Sequence, residues 1–278
     1  MIALFKWLVF VFEHPLNKGR FFKTLWRIIK WQISSSMLGC KVLWPWVGGT
    51  FLAVKKGDRG LTMNIYCGLS DFFEMTFLLK TLGEKDCFFD IGANCGAYSI
   101  LACGVCKARG IAIEPVSSTF DSLRQNITLN NLQERCIPLN VAVGEKGGHA
   151  FMTKDLGPEN RVLNGDFLLS GRQVEKVIVK TIDSLVDIYG CPTCIKIDTE
   201  GYELLALTGA TRTLRNQTLK YILIEIIGHE ATYGASKNTI VDFLGSYNFK
   251  FLDFDPIVFA LPFYSLIIPS KNKLFIRD

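Results

Sequence analysis

Apolar and polar positions along this chain repeat with two periods, and each change of period predicts an element. "CFFDIG", Cys87–Gly92, is a short apolar run closed by glycine and predicts a buried strand; "AYSILAC" after it predicts a helix and "GIAIEP" a second strand. "TFDSLRQNITLNN" carries an apolar face at helical spacing, and "CIPLNVAVG" predicts a third strand. "GHAFMTK" and "VEKVIVKTI" alternate with the period of two that marks strands, on either side of a polar loop. "CIKID" and "YILIEI" are apolar on successive residues, as strands covered on both faces must be. The tail "FKFLDFD" and "KLFIRD" predicts two more. Strand and helix in turn predict an α/β fold, a Rossmann-like, doubly wound, mostly parallel sheet. A helical N-terminal region and the break at "WPWVGG" precede it, so the expected division is a helical extension over 1–60 and the sheet domain over 61–278.

Open sheets of this kind bind ligands beyond the carboxyl ends of their strands, so the first strand-to-helix turn is the expected cofactor site. Here it reads "DIGANCG", Asp90–Gly96, with the spacing G-x-N-x-G rather than G-x-G-x-x-G. A carboxylate at the strand end repels a dinucleotide pyrophosphate, which seeks bare amides and a helix N-terminus. It favours a cation, and S-adenosylmethionine carries both an ammonium and a sulfonium. Glu114, about 20 residues on, has the position and chemistry to accept hydrogen bonds from a ribose diol. An ordinary turn with a solvated acid is the plain alternative, and the strand context and second acid speak against it.

These blocks resemble the FkbM-type methyltransferases, a branch of the S-adenosylmethionine-dependent class I enzymes with a seven-stranded Rossmann-like core. The resemblance runs from "HPLNKGR" and "YCGLSDFFEMTFLL" through "FFDIGANCGAYSILA", "AIEP" and "NVAVG" to "KTIDSL" and "IKIDTEGYE", the last being the most specific. It implies S-adenosylmethionine as cofactor, with Asp90, Gly92, Asn94 and Gly96 along its amino-acid part, Glu114 at its ribose and the segment around Val141 at its adenine. It further implies methylation of a hydroxyl on a saccharide or related natural product. The match thins at "DPIVFALPFYSLII", where acceptor recognition is expected. Two alternatives remain, a nicotinamide-dependent oxidoreductase on the same fold and a non-catalytic partner subunit. The missing third glycine opposes the first, and intact acids at Asp90 and Asp198 oppose the second.

"CIKIDTEGYELL" gathers Asp198, Glu200 and Glu203 around Gly201 where a buried strand ends. In this topology that strand lies beside the first, so Asp198 emerges next to Asp90 at the methyl end of the cofactor. Methyl transfer to a hydroxyl needs the nucleophile aligned and its proton removed. Asp198 is the first candidate for base or acceptor positioning and Glu200 the second. His229, after the fifth strand in "IEIIGHE", can reach the same rim as base or be a polar loop histidine. Glu203 suits the positive end of the next helix. Three acids can also hold Mg²⁺, but a sulfonium supplies its own electrophile and no metal is expected. Glu225 inside "YILIEI" should be buried, hence paired or functional. "CGVC" and "CPTC" have the spacing of zinc-ligand pairs, although small buried cysteines are the commoner reading. Tyr66 and Glu74 belong either to an element closing over the cofactor or to simple packing, and His14 and His149 are assigned nothing.

Composition narrows the setting. Nine cysteines, an odd number without a regular framework, point to a reducing compartment and a cytoplasmic location. No apolar run reaches the roughly 20 residues needed to span a bilayer, and "MIALFKWLVFVF", broken by Lys6, lacks the small-residue cleavage site of a secretory signal. The formal net charge is +5, and residues 1–40 account for all of it, with Lys6, Lys18, Arg20, Lys23, Arg27 and Lys30 against Glu13 alone. The remaining body is neutral, which excludes the basic face that a nucleic-acid partner requires. On a helical wheel of "RFFKTLWRIIKW", Arg20, Lys23, Arg27 and Lys30 oppose Phe21, Phe22, Leu25, Ile28 and Ile29. The commoner fate of such a helix is to pack its apolar face on the body. The alternative is peripheral contact with an anionic membrane through residues 1–33.

Overall fold

The computed structural model describes residues 2–37, 39–157, 160–163, 173–226, 229–252 and 272–277. Helices α1 (Ile2–Glu13) and α2 (Phe21–Met37) lead into an antiparallel hairpin of β1 (Val42–Pro45) and β2 (Phe51–Val54). Helices α3 (Arg59–Cys67) and α4 (Phe72–Thr81) follow. Strand and helix then alternate through β3 (Cys87–Ile91), α5 (Ala97–Ser99, continued by a π-helical stretch Ile100–Val105), β4 (Arg109–Ile113), α6 (Ser117–Leu129) and β5 (Cys136–Leu139). A separate three-stranded sheet holds β6 (Ala142–Val143), β7 (Gly148–Thr153) and β8 (Val174–Lys180). The chain continues through α7 (Ile182–Tyr189), β9 (Cys194–Ile197), α8 (Glu203–Thr208), β10 (Tyr221–Glu225), α9 (Lys237–Gly245), β11 (Lys250–Leu252) and β12 (Asn272–Ile276).

Seven of these strands form one sheet in the order β11-β12-β10-β9-β3-β4-β5, with β12 antiparallel to both neighbours and the others parallel. The α/β class and the mostly parallel sheet thus match expectation. Two details differ. "CIPLNVAVG" is not one strand: β5 ends in the main sheet and β6 pairs with β8. Between them Asn140 donates from Nδ2 to the carbonyls of Glu114 and Pro115, both at 2.9 Å, tying the chain across the end of β4. The region before residue 60 is also not purely helical, since the tryptophan-rich break folds as the β1–β2 hairpin. "DPIVFALPFYSLII" and the last three residues of "FKFLDFD" lie outside the described residues.

Strand alternation divides the core. Phe89 and Ile91 of β3, Ile195 and Ile197 of β9, and Ile222 and Ile224 of β10 face Ile182, Leu207 and Ile240 of the later helices. Phe88, Cys194 and Leu223 face the other way, against Met75 and Leu78 of α4 and Leu101. On that second side α1, α2 and the hairpin contribute Val11, Trp31, Val42 and Leu52 to one cluster with Leu123 and Ile127 of α6, so the extension shares its core with the sheet domain. Asp90 and Lys196 have the same parity as Phe88 and Cys194, and the β3–β9 register sets them directly opposite one another.

At their carboxyl ends β3 and β9 come too close for a side chain on one of them. Gly92 has φ of +77°, and a Cβ there would lie 1.8 Å from the carbonyl oxygen of Asp198. Backbone cannot yield as a side-chain tip can, so Gly92→Ala should destabilise the protein by roughly 3 kcal/mol or more. Exposed Gly147, where a Cβ would meet only the Val179 carbonyl oxygen at 3.7 Å, is the control. Its alanine variant should stay within about 0.5 kcal/mol of the parent in urea unfolding.

Candidate functional site

The carboxyl ends of β3, β4, β9 and β10 open into a cleft of about 450 Å³. Gly92 and Asn94 line it after β3, Glu114 after β4, Val141 before β6, and Asp198 and Glu200 after β9. The N-terminal region supplies Phe10, Arg59, Asn64 and Asp71 to the same wall. With Glu225 at the end of β10, seven of the residues singled out in the sequence therefore meet in one place. Asp90 and Gly96 are not part of the lining. Asp90 has 0% of its surface exposed, because its parity in β3 directs it beneath the strand ends. Its Oδ2 accepts from Ser99 Oγ at 2.5 Å and its Oδ1 has no hydrogen-bond partner. Gly96 packs on α6, where a Cβ would fall 2.7 Å from Leu123 Cδ1.

The residue that the sequence reading missed is Lys196. It is 3% exposed, yet its Nζ donates to Asp198 Oδ2 at 2.8 Å and stands 4.8 Å from the ring centroid of Tyr98. Burial alone would lower its pKa, but the charges of Asp198 and Asp90 outweigh this and raise it. Tyr98 in turn donates from its hydroxyl to Asp71 Oδ2 at 3.0 Å. A signal for Lys196 was available: a lysine in the middle of an apolar parallel strand must be compensated where it stands.

Glu225, at the end of β10, completes an acid group with Asp198 and Glu200, one oxygen of each lying within 4.8 Å of the others. Its pKa is raised, first by burial and then by the charge of Asp198, with which it shares a hydrogen bond. Among the described residues this is the one group of three or more carboxylate, thiol or imidazole groups near enough to share an ion. Cys103, Cys106, Cys191 and Cys194 do not gather: Cys106 Sγ, for example, donates to the Leu78 carbonyl at 3.5 Å. Glu200 adopts φ of +54° and its Oε2 is 3.0 Å from His229 Nδ1. Gly201, with φ of +109°, lies so near the His229 carbonyl that a Cβ would approach its oxygen to 2.7 Å. His229 is not itself part of the cleft lining and stands behind Glu200, which is.

Glu203 stands apart from the acid group. Its Oε1 accepts from the backbone N–H of Thr199 and Gly201 and from Thr199 Oγ1, at 2.9, 3.0 and 3.1 Å, closing the turn before α8. Glu114 likewise accepts two backbone N–H groups, from Asn94 at 3.0 Å and Val116 at 2.9 Å. Burial pushes both carboxyls up to about 7 against these hydrogen bonds. Tyr66 and Glu74 are buried outside the cleft, and Tyr66 holds the N-terminal helices by accepting from Gln32 Nε2 at its hydroxyl, 2.6 Å away.

A pKa raised on folding costs stability as pH rises from the unfolded value through the folded one, since the native state holds the proton longer. For Glu203 that window runs from 4.5 to about 7. Glu203→Gln removes the titration and keeps an acceptor oxygen. Its stability relative to the parent should rise by the order of 3 kcal/mol between pH 4.5 and pH 8 and level off above that. Paired thermal melts across this range check it; a constant difference would show that Glu203 does not titrate in this window.

Comparison with known proteins places this architecture. Residues 90–251 match the methyltransferase FkbM domain. The hexuronic acid methyltransferase AglP of Haloferax volcanii is 31% identical over 153 residues, which cover 54% of this chain and 59% of that protein, so the chain spans little more than half the length of this relative. The crystal structure of methyltransferase FkbM from Methylobacillus flagellatus aligns with 78% of this chain and 52% of its own, at 19% identity and a TM-score of 0.47. A precorrin-6Y C5,15-methyltransferase from Geobacter metallireducens aligns with 73% of this chain and 87% of its own, at 13% identity and a TM-score of 0.42. With the family domain matched over more than half its length, this chain belongs to the FkbM methyltransferase family.

Proposed function

We propose that the protein binds S-adenosylmethionine and methylates a hydroxyl of a saccharide or related natural product. The observation that carries this reading is a cleft at the strand ends whose wall holds Asp71, Glu114, Asp198, Glu200 and Glu225, a donor set matched to a cationic ligand and hostile to a pyrophosphate. When bound, S-adenosylmethionine supplies an electrophilic methyl group on its sulfonium. Glu114 uses two of a carboxylate's roughly four acceptor positions on backbone N–H groups and keeps the others for a ribose diol. Gly92 and Asn94 serve the amino-acid part and Val141 the adenine. Asp90, behind the wall, fixes the charge of Lys196. All nine cysteines are free thiols, in keeping with a reducing, cytoplasmic setting.

At the reacting end, Asp198 is engaged by the Lys196 ammonium and by Glu225. That suits it to orient the acceptor hydroxyl. The contact of Glu200 with His229 Nδ1 favours the tautomer protonated there, leaving Nε2 to take the acceptor's proton. This exchanges the order in which the sequence ranks Asp198 and His229. The Asp198 and Glu200 carboxylates also disfavour an anionic acceptor atom, so a neutral hydroxyl fits better than the carboxylate of a uronic acid, the class named for the Haloferax relative.

Calorimetry with S-adenosylmethionine, then mass spectrometry for a gain of one methylene unit across a panel of neutral sugars and uronic acids, tests the reading. No binding and no product would refute it. Glu114→Ala removes two charge-assisted hydrogen bonds to the ribose, each worth roughly 1.5–3 kcal/mol; an unchanged affinity would remove the ribose assignment. His229→Ala should lower kcat by roughly 10²–10⁴-fold with little change in cofactor affinity. If that loss follows Asp198→Asn and spares His229→Ala, the proton goes to Asp198. Activity abolished by EDTA and restored by Mg²⁺ would instead give the three acids to a cation.

A further inference from the structure

Helix α2 meets the body through a side of mixed character. Thr24, Trp31 and Ser35 are buried there, and Arg27 turns inward to donate to Asn17 Oδ1 at 2.5 Å and to the carbonyl of Tyr66. Of the apolar face expected to pack on the body, only Ile28 does so, against the cluster that holds Trp31, while Phe21, Phe22, Leu25 and Ile29 are exposed. Phe22, Trp26, Ile29, Ile33 and Met37 recur at intervals of four, three, four and four residues, so they form a single line along the outer side of the helix. Their exposures are 83, 66, 38, 52 and 80%. At 1.5 Å per residue the line is about 22 Å long. Leu25 and Phe21 widen its first turns, and Phe21 stacks on Phe12 of α1 with centroids 4.8 Å apart. Isolated exposed apolar residues are ordinary, whereas a continuous line of this length marks a surface that something covers.

Charge indicates what covers it. Lys23 and Lys30 are exposed and lie about 60–80° around the helix from the centre of the line, both along one border of it. Lys30 also stands 5.5 Å from the ring of Trp44. Lys18 and Arg20 are exposed just before the helix begins, and Glu13, 3.9 Å from Lys18, is the one acid in residues 1–40. An apolar line bordered by cations complements an anionic lipid surface. A second copy of this chain laid line against line would bring like charges together instead. Among the described residues no helix is long and apolar enough to cross a membrane.

We propose that α2 is a membrane-surface anchor: it lies in the plane of an anionic bilayer with Phe22, Trp26, Ile29, Ile33 and Met37 among the acyl chains and Lys23 and Lys30 at the headgroups. Phe10 of the adjoining α1 lines the cleft. The anchor stands independently of the proposed reaction, and its test needs no turnover. Full-length protein is sedimented with phosphatidylcholine vesicles, with and without phosphatidylglycerol, at low and high salt. Strong binding is expected only with phosphatidylglycerol and should weaken with salt. Lys23→Gln combined with Lys30→Gln should weaken it about 30-fold, from about 1 kcal/mol for each cation at a membrane surface. Phe22→Ser combined with Trp26→Ser should abolish it without lowering the melting temperature, because both side chains are exposed. A wild-type protein that stays in the supernatant with every vesicle overturns the proposal, as does binding indifferent to the Phe22 and Trp26 substitutions. So does a dimer in sedimentation equilibrium that those substitutions dissolve while vesicles are ignored, since a second copy then covers the line.

Discussion

An ammonium enclosed beneath the ends of three parallel strands governs both the sheet and the site. Removing Lys196 from water costs several kcal/mol unless compensating charge is fixed nearby, and that charge comes from Asp198 two residues on and from Asp90 across the β3–β9 pairing. Such compensation depends on register. A slip of one residue would turn Asp90 into the apolar layer that Phe89 and Ile91 now fill and leave Lys196 with Asp198 alone. The charge group therefore acts against misregistered pairings of strands that are otherwise interchangeable runs of isoleucine and phenylalanine. The tight approach of Gly92 to the Asp198 carbonyl belongs to the same alignment, as does the hydrogen bond from Asp198 N–H to the Ile91 carbonyl at 3.0 Å.

Beyond the strand ends the constraint passes to the loop "DTEGYE". Glu203 spends one carboxylate oxygen on the backbone of Thr199 and Gly201, which holds a turn containing two residues at positive φ. That turn brings Glu200 to His229 and leaves it at the wall of the cleft. The cost appears as carboxyls whose pKa values are raised by burial, at Glu203, Glu114 and Glu225. Glu114 and Glu225 line the cleft, whereas Glu203 serves the turn beside it.

Much of this was legible in the sequence because apolar runs of four or five residues ended by glycine or acid have few other readings. The runs of β3, β4, β9 and β10 were found, and with them the cleft, since topology places it at their carboxyl ends. Direction was harder. Alternation tells which residues share a face but not which face opens to the ligand, so Asp90 was expected in the wall that Asp198 in fact occupies. Lys196 is linked to Asp90, and Glu225 to Asp198, across neighbouring strands, relations that exist only once register is known. The split of "CIPLNVAVG" depends on Asn140 reaching carbonyls 25 and 26 residues earlier in the chain, and no local pattern encodes that.

The orientation of α2 shows the same limit in its strongest form. A helical wheel divides a helix into sides, while the surface it meets decides which side turns in. Here that surface is the C-terminal end of α3, where the last carbonyls lack helical partners and carry the negative end of the helix dipole. The Tyr66 carbonyl is one of these, and it accepts both from Arg27 and from Asn17 Nδ2, the latter at 2.9 Å. A guanidinium satisfies acceptors that an isoleucine would leave bare, so the side bearing Arg27 turns inward and the small residues Thr24 and Ser35 allow close approach beside it. The apolar side is left facing outward by that choice. What appears on the wheel as a core-seeking stripe is thus, in the folded chain, the side that the protein's own polar requirements exclude from the core.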